Sequence, residues 1–157
     1  MHLEGLHVRN WCQFRDFACQ FSGGMTAITG PNGSGKSNLL SAISWLLTGE
    51  NPNAGVKDAN INQLCDVSER AFGELTFSHH GRRYVVRRHL RPATKASLTV
   101  DGEALASGDQ AVTAAISAAI DLDPKVLSRF VLVGQADIYG FLEAAPGEVA
   151  KFFQRLF

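Results

Sequence analysis

One run of eight residues constrains this chain more than any other: Gly30-Pro31-Asn32-Gly33-Ser34-Gly35-Lys36-Ser37. It fits the pattern Gly-x-x-x-x-Gly-Lys-Ser in full. Glycines let the backbone take positive φ and approach an anion closely. Successive N–H groups can then surround a phosphate, and a helix that follows adds its positive end. In such a loop the lysine reaches the β- and γ-phosphates and the hydroxyl coordinates Mg²⁺. Those roles fall to Lys36 and Ser37. The flanks suit the motif. Met25 to Thr29 is a nearly all-apolar run, expected to be a strand buried on both faces. After it, Leu39, Leu40, Ile43, Leu46 and Leu47 recur on one helical face, so a helix should open near Lys36. Gly49 and Pro52 should end it. The candidate ATP contacts are therefore Asn32, Gly33, Ser34, Gly35, Lys36, Ser37 and Asn38.

Around this centre, periodicity predicts a single domain over 1–157 with no internal repeat or linker. Leu3 to Arg9 and Asp16 to Phe21 alternate as strands. Ser22-Gly23-Gly24 is a turn, and Asn51 to Asp66 is a polar loop. Ala71 to Ser78 and Arg83 to Leu90 form a hairpin closed by His79-His80-Gly81-Arg82. Ser97 to Val100 continues the sheet up to an Asp101-Gly102 turn. Asp109 to Ile120 is helical, and Pro124 opens another short helix. Phe130 to Val133 reads as an apolar strand ending at Gly134-Gln135. Ile138 to Glu143 and the stretch from Pro146 onward read as helices.

Composition narrows the function classes. Fifteen Lys+Arg balance fifteen Asp+Glu, which excludes a globally basic nucleic-acid binder. It leaves room for a local patch. Arg82, Arg83, Arg87, Arg88, Arg91 and Lys95 supply six of the fifteen basic residues, and no acid lies between Leu75 and Val100. Phosphate-backbone contact through such a patch would be sequence-independent and salt-sensitive. Cys12, Cys19 and Cys65 share no metal-like spacing and predict neither a disulfide framework nor a zinc site; scattered thiols fit a reducing, cytoplasmic setting. No apolar run approaches the ~20 residues of a membrane span. No signal peptide is visible at the start.

Two strands before the motif strand and three antiparallel strands after the helix resemble the heads of ABC-type ATPases. A small-molecule kinase would instead need a catalytic acid and lid arginines, and neither is assembled. Leu6-His7-Val8-Arg9-Asn10-Trp11, then Phe21, Gly24, Ile28 and the phosphate loop, resemble the start of the SMC-like DNA-repair ATPases of the SbcC type, the Rad-fifty family. Arg83 to Arg88 resembles that family's basic strand. Phe130 to Gln135, with Ile138, Phe141 and Leu142, resembles its Q-loop and following helix, and Val149 to Phe157 resembles its coiled-coil root, beginning about 147–157.

The resemblance implies an α/β fold: a P-loop NTPase head lobe of ABC/SMC type, with mixed and antiparallel sheet plus helices. It implies catalytic roles for Lys36 and Gln135, with Ser37 and Gln135 near Mg²⁺. It places base contacts at Leu64, Cys65 and Asp66, and DNA contacts at Arg83, Arg87 and Arg88. Implied partners are a C-terminal lobe of the same ATPase, a second head in a homodimer, an Mre-type or SbcD-type nuclease and double-stranded DNA, with no membrane; a bacterial protein would be nucleoid-associated. Two features depart from the pattern. Cys12 stands where the family often has a basic residue near the nucleotide, and no aliphatic strand ending in Asp-Glu is present. The chain reads as an N-terminal lobe, ATP-binding but inactive alone. The alternatives are another SMC or RecF-like head, or a stand-alone nucleotide-binding module without ATPase activity.

Overall fold

The computed structural model describes residues 1–50, 58–93, 95–122 and 127. Along them the elements are β1 (His2–Trp11), β2 (Phe14–Gln20), α1 (Lys36–Thr48), β3 (Ala71–His79), β4 (Arg82–Arg91), β5 (Lys95–Val100), β6 (Glu103–Ser107) and α2 (Asp109–Ile120). The expected Pro124 helix, the 130–133 strand, Gln135 and the two last helices lie outside the described residues.

Six strands make one sheet in the order β2-β1-β3-β4-β5-β6, and every pairing is antiparallel. Such a sheet can cover a core with one face and meet water with the other. Strand parity shows that it does. Leu6 and Val8 of β1, Leu75 and Phe77 of β3, Tyr84 and Val86 of β4, and Leu98 and Val100 of β5 are buried. Glu74, Arg83, Arg87 and Ser97 belong to the opposite parity and to the open face. Both tight hairpins use two residues at positive φ, His80-Gly81 (48° and 74°) and Asp101-Gly102 (53° and 88°). Positive φ at both positions matches the twist of the flanking strands.

The helices close the apolar face. α1 brings Leu39, Ala42, Ile43, Leu46 and Leu47 to the core, and α2 brings Val112, Ile116 and Ile120. α1 lies close against the sheet at Gly73 of β3. A Cβ there would meet Leu46 Cδ1 and Trp45 Cζ3, both at 3.1 Å. The missing side chain is what lets α1 lie flat on the sheet. Trp45 in turn stacks on Trp11, with centroids 5.0 Å apart and planes 18° apart. That pair fixes the end of β1 against the helix, and its geometry is the offset stacking aromatic rings favour.

Among the described residues one charge sits in this core. Arg88 is 1% exposed. Its Nε donates to Leu46 O (2.9 Å), and its two terminal nitrogens donate to Asp109 Oδ1 (2.6 Å) and Thr113 Oγ1 (2.8 Å). Burial pushes the guanidinium pKa down, and Asp109 pulls it back up. Arg88 thus ties the C-terminal turn of α1, whose last carbonyls lack helical partners, to the first turn of α2. Gly49 caps α1 in the left-handed region at φ 78°. A side chain there would crowd Thr113 Oγ1 and Arg88, so the clamp also requires glycine.

Three expectations change. Met25 to Thr29 forms no strand, and Met25 is 96% exposed. A strand exists only when paired, and among the described residues nothing pairs with this run. Leu40 is half exposed, because α1 turns Trp45 rather than Leu40 to the core. The sheet after α1 has four strands rather than three, since the weakly patterned Glu103–Ser107 pairs with β5.

Candidate nucleotide site

The phosphate loop runs from Gly30 into α1. Gly33 (φ 81°) and Gly35 (φ 95°) occupy the left-handed region that L side chains avoid. Gly35 is the N-cap of α1, which has no side-chain cap and no acidic residue in its first turn. The helix therefore presents uncapped N–H groups and an uncompensated positive end, the two features that suit an anion. Lys36 Nζ donates to Gly30 O (2.9 Å) and Pro31 O (2.8 Å), so the amine folds back across its own loop. Ser37 is exposed beside it.

The turn between β1 and β2 holds this loop from one side. Trp11 Nε1 donates to Asn38 O (2.8 Å), and Asn38 Nδ2 donates to Gln13 Oε1 (2.7 Å). Gln13 lies directly on Gly35. A Cβ on that glycine would collide with the Gln13 carboxamide and would stand 2.7 Å from Phe14 Cζ. Gly35 is thus required both by its φ and by its neighbours.

The same turn holds the 58–66 loop from the other side. Cys12 N donates to Asn60 O (2.8 Å) and Asn62 N to Asn10 O (3.0 Å), while Trp11 bridges Ile61. Asn10 is buried; its Nδ2 donates to Arg70 O (2.9 Å) and Glu69 Oε2 (3.3 Å), and its Oδ1 has no partner. Hydrogen bonds from Asp66 N and from Asn10, with Arg15 adding to them, hold the Glu69 carboxyl below its ordinary range. Of the residues expected near a base, Leu64 is 81% exposed and Cys65 is half-buried. Asp66 accepts from Ser68 N and Oγ, both at 2.8 Å, which lowers its pKa and commits it to its own turn. Cys12 is half-buried, and burial pushes its thiol up.

The expected DNA contacts separate. Arg83 and Arg87 stand on the open face of the sheet, paired to Glu4 (2.9 Å) and Glu74 (2.6 Å). Arg87 also lies over the Phe72 ring, 5.1 Å from its centroid. Arg88 points the other way, into the core clamp, so it is withdrawn from any surface contact. Gln135 lies outside the described residues. The residues that the pattern did not single out are Gln13, Asn60 and Asn62. They have no motif of their own, and only the Asn10-Trp11 dipeptide before them marks the turn.

Residues 5–156 match the family model described as AAA domain. The chain is 27% identical over 99% of its length to the DNA double-strand break repair Rad50 ATPase of Methanococcus maripaludis, and covers 16% of that protein. It is 30% identical over 85% of its length to the SbcC component of the nuclease SbcCD of Rhodobacter capsulatus, covering 13% of it. The chain thus spans less than a fifth of these curated relatives. Among solved structures, the SMC head domain from Thermotoga maritima aligns with a TM-score of 0.51 and 31% identity, over 68% of this chain and 39% of that one. The fold and the phosphate loop define a P-loop NTPase head lobe. The chain belongs to the AAA domain family, as an SMC-like N-terminal lobe of the SbcC/Rad50 type.

Proposed function

We propose that this chain is the ATP-binding lobe of a DNA-repair ATPase that works as a pair of heads. One observation carries the reading: Lys36 and Ser37 stand together at the uncapped N-terminus of α1, behind a loop whose glycines take positive φ. The backbone N–H groups of 33–37 would surround the phosphates, and Lys36 would exchange its two loop carbonyls for them. Among the described residues no group of three or more His, Cys, Asp or Glu could hold a metal ion. Ser37 would instead offer its hydroxyl to a Mg²⁺ bound through phosphate oxygens, the usual arrangement for this ion. Bound there, the ion would neutralise phosphate charge. Gln135 is proposed to face the same ion and the attacking water.

The names of the relatives support the DNA-repair assignment, and a nuclease partner and double-stranded DNA belong to the same proposal. Arg83 and Arg87 on the open sheet face are the proposed contacts to DNA. No described helix is long and apolar enough to cross a membrane.

Hydrolysis also needs a carboxylate beside the attacking water and a second head facing the γ-phosphate. The chain alone is therefore expected to bind ATP and to release phosphate at background rate. Steady-state phosphate release, with and without a C-terminal lobe of the same ATPase class, tests this. Turnover by the single chain that vanishes in Lys36→Ala would overturn the two-lobe reading.

A further inference from the structure

We propose that the open face of the sheet carries a base-stacking platform for single-stranded DNA. Phe72 is the ring that receives a base, and Arg9, Arg70 and Lys95 meet the phosphates beside it. This rests on the DNA reading above and adds to it a strand form and a set of residues.

Strand register builds the platform. Arg9 of β1, Phe72 of β3, His89 of β4 and Lys95 of β5 are successive cross-strand partners, so they form one row over four strands. Their parity is opposite to that of the buried Val8, Leu75, Val86 and Leu98, which puts the row on the open face. Phe72 stands half-buried within it. The His7 ring meets Phe72 edge-on at 5.2 Å and 86°, and the His89 ring lies tilted 5.6 Å away. The Arg87 guanidinium lies over the Phe72 ring at 5.1 Å. Bases stack on aromatic rings and on guanidinium planes with little regard to sequence.

The charges around the ring are of two kinds. Arg83 and Arg87 already hold carboxylates, Glu4 and Glu74. Arg9, Arg70 and Lys95 are exposed, and no described carboxylate pairs with them. These three can take a phosphate without first displacing an acid. Burial, then Arg87, Arg70 and Lys95, holds the His89 pKa below its ordinary 6.5. Its ring is therefore uncharged at neutral pH and extends the flat surface. Three strand spacings of about 4.8 Å separate Arg9 from Lys95. Phosphates on either side of a stacked base are thus both within reach. Inside a duplex the bases stack on one another, so the ring serves an unpaired strand. The alternative is that Phe72 and the two histidines only brace neighbouring strands.

Three DNA ligands separate these roles: a short oligodeoxythymidylate, the same strand with abasic sites, and a blunt duplex. Each is titrated by fluorescence anisotropy against the purified chain, with thermal melting alongside. Phe72→Leu should lower affinity for the base-bearing strand about fivefold or more, the lower end of what one stacked base contributes. It should leave the abasic strand and the duplex unchanged. Phe72→Trp keeps a ring and should bind the base-bearing strand at least as well as wild type. Arg9→Gln with Lys95→Gln should flatten the salt dependence of single-strand binding by about 1.4 units of the log–log slope, close to 0.7 per phosphate. Undiminished affinity of Phe72→Leu for the base-bearing strand, or equal losses on all three ligands, overturns the platform. If Phe72→Leu fails to melt cooperatively, wild type decides: equal affinity for the base-bearing and abasic strands overturns it. Duplex bound without any single strand removes the platform and leaves the DNA reading, whereas binding of neither removes both.

Discussion

Arg88 and Asp109 meet at 2.6 Å across the boundary of the core, the arginine 1% exposed and the aspartate side chain 47% exposed. Two helices that touch few of each other's side chains are joined through this pair, with Leu46 O and Thr113 Oγ1 completing the guanidinium's bonds. Arg88→Ala leaves Leu46 O and Thr113 Oγ1 without this donor, while the half-exposed Asp109 can turn to water. Leaving a buried acceptor without its donor costs about 1–3 kcal/mol. Urea unfolding should show a loss of that size. Arg88→Met, which fills the space without the charge, should lose less. Equal losses would mean that the hydrogen bonds, not the filled volume, hold α1 to α2.

Lys36→Ala should abolish ATP–Mg²⁺ binding while changing stability by no more than about 0.5 kcal/mol, the usual limit for a surface substitution. Among the described residues the amine donates to Gly30 O and Pro31 O of its own exposed loop. Titration with a fluorescent ATP analogue and a parallel melt check both halves. Undiminished affinity would place the nucleotide elsewhere.

Arg83→Glu with Arg87→Glu should weaken duplex DNA binding by the assembled heads on every sequence. It should also flatten the salt dependence by about two units of the log–log slope, close to one per phosphate contact. Both arginines are already paired with carboxylates, so Glu4→Gln with Glu74→Gln should strengthen binding. A slope that neither pair changes would make this face a solvated edge guarded by charge.

Stability should fall as the pH drops below 6.5. His89 lies on the open face, 5.6 Å from the Phe72 ring. Burial first, then Arg87, Arg70 and Lys95, lowers its pKa from the ordinary 6.5. The folded state then binds fewer protons than the unfolded state between the two pKa values, so stability rises with pH across that window. His79, lowered by burial and by His80, acts in the same direction. Urea midpoints at pH 7.5 and 5.5 should differ in the wild type and differ less in His89→Gln. An identical difference in both proteins would assign the effect to other groups.

Much of this was readable from the chain. Alternation placed β1 to β5, periodicity placed α1 and α2, and the glycine spacing placed the phosphate loop. Parity also held the answer for Arg88. Tyr84 and Val86 face the core, so the residue two further along faces it as well. What parity could not show is that Leu46 O, Asp109 and Thr113 would be there to receive it. Met25 to Thr29 misled for the converse reason: an apolar run states what would be buried, not whether a neighbour exists to bury it. β6 was missed because Glu103–Ser107 carries no β-branched residue and little alternation. Gln13 was silent, since its meaning lies in Gly35, twenty-two positions away.

The pairing of β1 with β3 has a kinetic meaning. The meander β3–β6 forms from neighbours in sequence, joined by short turns, and local pairings close fast. β1 reaches β3 only across the excursion that leaves the sheet after Gln20 and returns at Ala71, a closure of about fifty residues whose entropy must be met first. The phosphate loop lies within that excursion, and its shape depends on Trp11 and Gln13 at the end of β1. In refolding, the loop is therefore completed late, after most strand signal has appeared. Stopped-flow far-ultraviolet signal should lead the recovery of nucleotide fluorescence; simultaneous recovery would show that the sheet closes in one step. ATP would then act as a ligand that selects chains whose first strand has found its place.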